Sequence, residues 1–95
     1  MVTVVTPNSR EYSYQIEFTE QAEKILLKLP TKIKDKIKYR TAQLSISLYL
    51  GKALTGEYKG TYSLRVWPYR VIYEVIRQRL VITVIDIGHQ QGIYR

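Results

Sequence analysis

The sequence predicts an α+β fold: an N-terminal strand and an antiparallel helical hairpin packed on a curved, mainly antiparallel β-sheet. Three observations carry this reading. Residues 62–67, 69–76 and 80–87 form three successive runs dominated by β-branched and aromatic residues, a composition that suits a pleated, half-buried surface. Upstream, two segments on either side of Pro30 repeat apolar residues at helical spacing. Before them, Tyr14, Ile16 and Phe18 alternate with Gln15 and Glu17 as in a strand with one buried face.

Residues 1–12 read as an N-terminal extension, either loose or an added edge strand, because Val2 to Thr6 has β propensity and Pro7-Asn8-Ser9 interrupts it. Residues 13–95 read as a single domain. After the first strand, Thr19 is placed to cap a helix whose first turn holds Glu20 and Glu23 and whose buried stripe is Ala22, Ile25, Leu26 and Leu29. Pro30 ends it. Thr31 is expected to cap a second helix with Ile33, Ile37, Leu44 and Leu48 in one narrow arc, running to a stop at Gly51. Lys32, Lys34, Lys36, Lys38 and Arg40 flank that arc, as a solvated face or a polyanion contact. A weaker line of Tyr39, Ala42, Ile46 and Tyr49 is expected to pack in the core, with reception of a partner helix as the other use.

Residues 51–60 read as a connecting loop, not a phosphate-binding loop, since the Gly-x-x-x-x-Gly-Lys-Ser/Thr pattern is missing. Trp67-Pro68 and Arg77-Gln78-Arg79 are turn signals, so the three runs form a meander. Alternation puts Tyr62, Leu64 and Val66 on one face, leaves Ser63 and Arg65 on the other, and brings Arg65 near Arg70 across the turn. The last strand is expected to carry residues 88–95, with the sole histidine, His89, to an edge of the sheet.

Ninety-five residues make one modest core, and the absence of cysteine excludes disulfides, thiol nucleophiles and thiolate metal sites. A net charge of +7 favours an acidic partner, nucleic acid first and an acidic protein second, although such a surplus also serves solubility. No apolar run approaches the roughly 20 residues a membrane-spanning helix needs, and the N-terminus lacks signal-peptide character. A cytoplasmic location without a membrane partner is the expectation.

Read together, the Tyr-x-Ile-x-Phe strand, Ala22-Glu-Lys-Ile-Leu-x-Lys-Leu, Gly51-Lys-x-Leu-x-Gly-Glu-x-Lys-Gly60, Tyr62-x-Leu-Arg-Val66, Tyr69-Arg-Val-Ile-Tyr-Glu74, Ile87-Gly-His89 and Ile93-Tyr-Arg95 resemble the RelE/ParE superfamily of bacterial and archaeal toxins. The likeness runs from Tyr14 to Arg95. It implies the RelE-like microbial RNase fold and a toxin encoded beside an acidic antitoxin that wraps and neutralises it, the complex reaching operator DNA through the antitoxin. The RelE branch cuts messenger RNA in the ribosomal A site without metal or cofactor; the ParE branch inhibits DNA gyrase. Fold does not choose between them.

The resemblance implies a catalytic set of Arg65, Arg70, His89 and Tyr94. Two guanidiniums can grip the scissile phosphate, His89 carries the side chain best suited to proton exchange near neutral pH, and Tyr94 can stack on a base or assist proton transfer. Each has a plain structural use as well: the arginines as partners of Glu74 or Glu57, the histidine bonded to backbone, the tyrosine closing the core. Lys34, Lys38, Lys59 and Arg95 are the expected ribosomal RNA contacts through phosphates. Gln90 and Gln91 stand where many relatives carry arginine, and Ser63 where some carry lysine. Glutamine bonds a phosphate oxygen without neutralising it, so a gyrase inhibitor and a decayed toxin that only binds antitoxin remain the alternatives.

Overall fold

The computed structural model describes residues 3–5 and 14–90. Its elements are β1 (Thr3–Val5), β2 (Gln15–Phe18), α1 (Glu20–Leu27), α2 (Thr31–Ala42), β3 (Lys52–Ala53), β4 (Tyr62–Val66), β5 (Tyr69–Ile76) and β6 (Val81–His89), with short 3-10 turns at Gln43–Ser45 and Gly56–Tyr58. The strands form one sheet in the order β1-β2-β6-β5-β4-β3. Every pairing is antiparallel except β2 with β6, so the α+β architecture and its mainly antiparallel sheet are as expected. From the N-terminal extension, β1 pairs with β2 along an edge.

The parallel pairing gives the meander a further neighbour. Gln15–Phe18 runs alongside Val81–Val84 and flanks β6 on the side away from β5, and beyond Val84 the strand carries His89 to the rim of the sheet. The α1–α2 hairpin follows β2 and covers one face only, where Ala22, Leu26 and Ile37 meet Ile16, Phe18, Leu64, Val66, Val71, Tyr73, Ile82, Val84 and Ile87 in one buried cluster. Thr19 fixes the start of α1. Its hydroxyl accepts from Ala22 N–H at 3.1 Å and donates to the Ile85 carbonyl at 3.4 Å, joining a helix cap to the central strand.

The second helix departs from expectation at both ends. Pro30, not Thr31, is its cap: the Pro30 carbonyl takes the first intrahelical bond, from Lys34 N–H at 2.9 Å, and no side chain caps it. It ends at Ala42 instead of running to Gly51, tightening into the 3-10 turn that buries Leu44 and aims the Ser45 carbonyl at Tyr14 N–H, 3.1 Å away.

Gly51 has a role other than stopping a helix. The Tyr73 hydroxyl accepts from Gly51 N–H and donates to the Leu48 carbonyl, both at 2.9 Å, and a Cβ at residue 51 would lie 2.8 Å from both the Ser63 carbonyl oxygen and the Tyr73 ring. Burial holds the Tyr73 hydroxyl above the ordinary tyrosine range; the Gly51 N–H pulls the other way and the neighbouring Tyr62 and Tyr49 add to the rise. Tyr73 stacks on Tyr62, and Tyr62 meets Tyr49. The weak stripe does not enter the core: Tyr39 on α2 is 68% exposed, and Ile46 and Tyr49, which lie beyond the end of the helix, are 74% and 47% exposed. No helix among the described residues is long and apolar enough to cross a membrane.

Candidate functional site

The face of the sheet away from the helices is where the charged side chains of the meander gather. On β4 and β5, Leu64 and Val71 point into the core, so their neighbours Arg65 and Arg70 point the other way. The register makes Arg65 and Arg70 direct partners, immediately beside the turn at Trp67-Pro68, whose peptide bond is cis. Like charges directly opposite one another repel. An anion between two such guanidiniums would turn that repulsion into attraction.

The neighbours shape this site. Arg70 Nη1 donates to the Ser63 hydroxyl at 3.5 Å, and Ser63 is buried. Gly88 is the β6 partner of Arg70, so no side chain stands directly across from it on that strand. Arg65 is exposed, and among the described residues no hydrogen bond or ion pair engages it, so neither Glu74 nor Glu57 is its partner. The one ion pair described on this face is a loose contact of 4.0 Å between Arg79 and Glu17, at the far end.

His89 is at the same rim but not on the same face. It is the register partner of Tyr69, and the two rings meet edge to face with centroids 5.6 Å apart. Tyr69 follows the alternation of Val71 and Tyr73, so His89 stands on the helix-covered side while Arg70 stands on the other. The α2 lysines approach from that same side. Lys36 Nζ donates to the Trp67 carbonyl at 3.4 Å, bringing the cationic helix to the turn, while Lys34 and Lys38, four residues apart, are half-buried along the helix flank. Lys59 is exposed on the loop before β4, at the end of that strand away from the arginine pair. Tyr94, Arg95 and Gln91 lie outside the described residues.

Gln90, which the sequence marked as standing where relatives carry arginine, follows His89 at the end of β6, its N–H bonding the Pro68 carbonyl at 2.9 Å, and its buried Oε1 has no hydrogen-bond partner among the described residues. One residue of the open face escaped sequence reasoning. Asp86 is the register partner of Ile72, which puts it diagonally next to Arg70. A β-bulge opposite Ile72 and Tyr73 places it there, with Ile85 as the extra residue. The spacing of Val84 and Ile87, three residues apart and both in the core, was the available signal. Among the described residues no group of three or more His, Cys, Asp and Glu could hold a metal ion.

The model of the ParE toxin of the type II toxin-antitoxin system parDE matches residues 16–94. Toxin RelG of Mycobacterium tuberculosis is 32% identical over 84 residues, spanning 86% of this chain and 97% of that protein. This chain belongs to the RelE/ParE family of type II toxins. Solved structures agree in fold. The toxin-antitoxin complex RelBE2 of M. tuberculosis superposes with a TM-score of 0.74 at 29% identity, covering 81% of this chain and 98% of that one. A doubly substituted form of the Escherichia coli toxin RelE in the free state gives 0.71 at 25% identity, covering 85% of this chain and 87% of that one. This RelE/ParE toxin thus has the architecture of both, and the open-face arginine pair lies within the matched residues.

Proposed function

We propose that this toxin is a ribosome-dependent endoribonuclease that cuts messenger RNA in the A site, without metal or cofactor, and so inhibits translation. The observation that carries the proposal is the cross-strand Arg65–Arg70 pair on the open face of the sheet. Cleavage by the 2′-hydroxyl builds negative charge on a crowded phosphate, and two preorganised guanidiniums aimed at that charge lower the barrier. Arg65 and Arg70 clamp the phosphate. His89, whose ring stands on the other side of the same rim, is the proton-transfer group for a strand passing over the Trp67-Pro68 turn, and Tyr94 positions the substrate base. Lys34, Lys38, Lys59 and Arg95 hold ribosomal RNA through its phosphates, a contact that weakens with salt.

Relatives solved as RelBE toxin-antitoxin complexes support a cognate antitoxin as the partner that neutralises this chain. An acidic antitoxin complements its surplus of seven positive charges and links the complex to operator DNA. A second reading, a gyrase inhibitor of the ParE type, is favoured by the family model itself and by Gln90 standing in place of a cation.

Primer extension on a translated messenger after brief induction separates the two, with Arg70→Ala, naked RNA and gyrase supercoiling as controls. Cuts confined to ribosome-engaged codons and absent from Arg70→Ala support the nuclease. Intact messenger with blocked supercoiling moves the chain to the gyrase inhibitors.

A further inference from the structure

The arginine pair supplies charge to a cleaving site but no base, and His89 points to the opposite side of the sheet. The open face does hold a carboxylate. Asp86 lies on β6 two residues before Gly88, which faces Arg70 across the ladder, so Asp86 and Arg70 are diagonal neighbours within reach of a single phosphodiester. Three features suit it to more than surface charge. It is half-buried, not fully solvated. Among the described residues it is in no ion pair; its Oδ1 accepts only from the adjacent Ile87 N–H at 2.9 Å. The bulge at Ile85 turns it onto the arginine face, and bulges next to active sites commonly re-aim a side chain in this way.

We infer that Asp86 is the general base of this toxin, taking the proton from the attacking 2′-hydroxyl of the RNA; the inference rests on the nuclease reading above. The step balances without a metal or redox partner. Asp86 takes the 2′-proton as the 2′-oxygen bonds to phosphorus. The bond from phosphorus to the 5′-oxygen breaks, with the charge on the phosphate oxygens held by Arg65 and Arg70. The departing 5′-oxygen takes up a proton from His89 at the rim, His89 regains one from solvent, and Asp86 returns its own to solvent. The products are a 2′,3′-cyclic phosphate and a 5′-hydroxyl.

Asp86→Asn is the decisive variant because it keeps an Oδ1 to accept from Ile87 N–H and loses only the ability to accept a proton. On ribosomes programmed with a defined A-site codon, the expected result is a fall of about 100-fold or more in single-turnover cleavage. Binding of the same codon carrying a 2′-deoxy sugar at the attacked position should change less than about twofold, since uncleavable substrate needs no base. Asp86→Glu should recover part of the rate. Cleavage by Asp86→Asn at the wild-type rate would overturn the inference, leaving the side chain as a backbone cap. So would a loss of binding and thermal stability in step with rate. If the wild type itself leaves the codon intact, the nuclease reading fails first and the inference with it.

Discussion

The two faces of the β4-β5-β6 meander are built from alternate residues of the same strands, yet they do different work. The helix-covered face is a continuous apolar cluster in which Leu64, Val66, Val71, Tyr73, Val84 and Ile87 are almost wholly buried. The open face carries Arg65, Arg70, Glu74 and Asp86, with buried Ser63 and Ile72 between them. A strand cannot serve one face without fixing the other. The stability of the covered face therefore sets the geometry of the open one, and the period of two lets a small protein hold two arginines opposite each other on a rigid base.

The comparison can be broken from either side. The largest effect is expected in the core: Ile37→Ala, at a fully buried position, should destabilise the fold by about 2–5 kcal/mol in denaturant unfolding. On the open face Arg70→Ala should leave the unfolding midpoint nearly unchanged and reduce cleavage roughly 100- to 1,000-fold, the scale of losing one preorganised charge donor.

Tyr73→Phe sharpens the boundary between the faces by freeing the loop at Gly51, and should cost about 1–3 kcal/mol through the two bonds it removes. It should also alter the alkaline response. The unfolded chain releases the Tyr73 proton near about pH 10. The folded chain holds it to a higher pH, because burial disfavours the phenolate. Stability from this group is thus constant below that value and falls as pH rises through it, and in Tyr73→Phe this part of the fall should vanish. The smallest effect is at the β5–β6 turn, where Leu80 has φ of 55° in the left-handed region. Leu80→Gly should raise stability by about 0.5–1 kcal/mol and leave cleavage untouched, as thermal unfolding and primer extension would show together.

What was legible in the sequence divides along the same line. Alternation gave the facing of Arg65 against Leu64 and the closeness of Arg65 to Arg70, because a short hairpin leaves one register. The inner place of β6 was not legible, since it depends on a parallel pairing with β2 across the whole helical hairpin, which no local pattern encodes. The end of α2 was missed because Leu44 and Leu48 continue its helical arc even though the backbone tightens after Ala42 to satisfy Tyr14. Asp86 was missed because the bulge shifts the strand's phase by one residue, and His89 was assigned to the arginine site without a register that fixes its side. Tyr39 and Ile46 show the limit of a stripe: helical spacing identifies a face but does not say what covers it.

The central claim is that cleavage belongs to the open face, and one comparison tests it most directly. Primer extension on the same translated messenger would be run with the Arg65→Ala/Arg70→Ala double variant and with Lys34→Ala/Lys38→Ala, both checked for folding by circular dichroism. The account predicts that codon-phased cuts disappear in the arginine variant, whereas the lysine variant keeps the same cut sites at a reduced, salt-sensitive rate. Cuts that persist in the arginine variant and vanish in the lysine variant would contradict it, moving the chemistry to the helix side of the molecule.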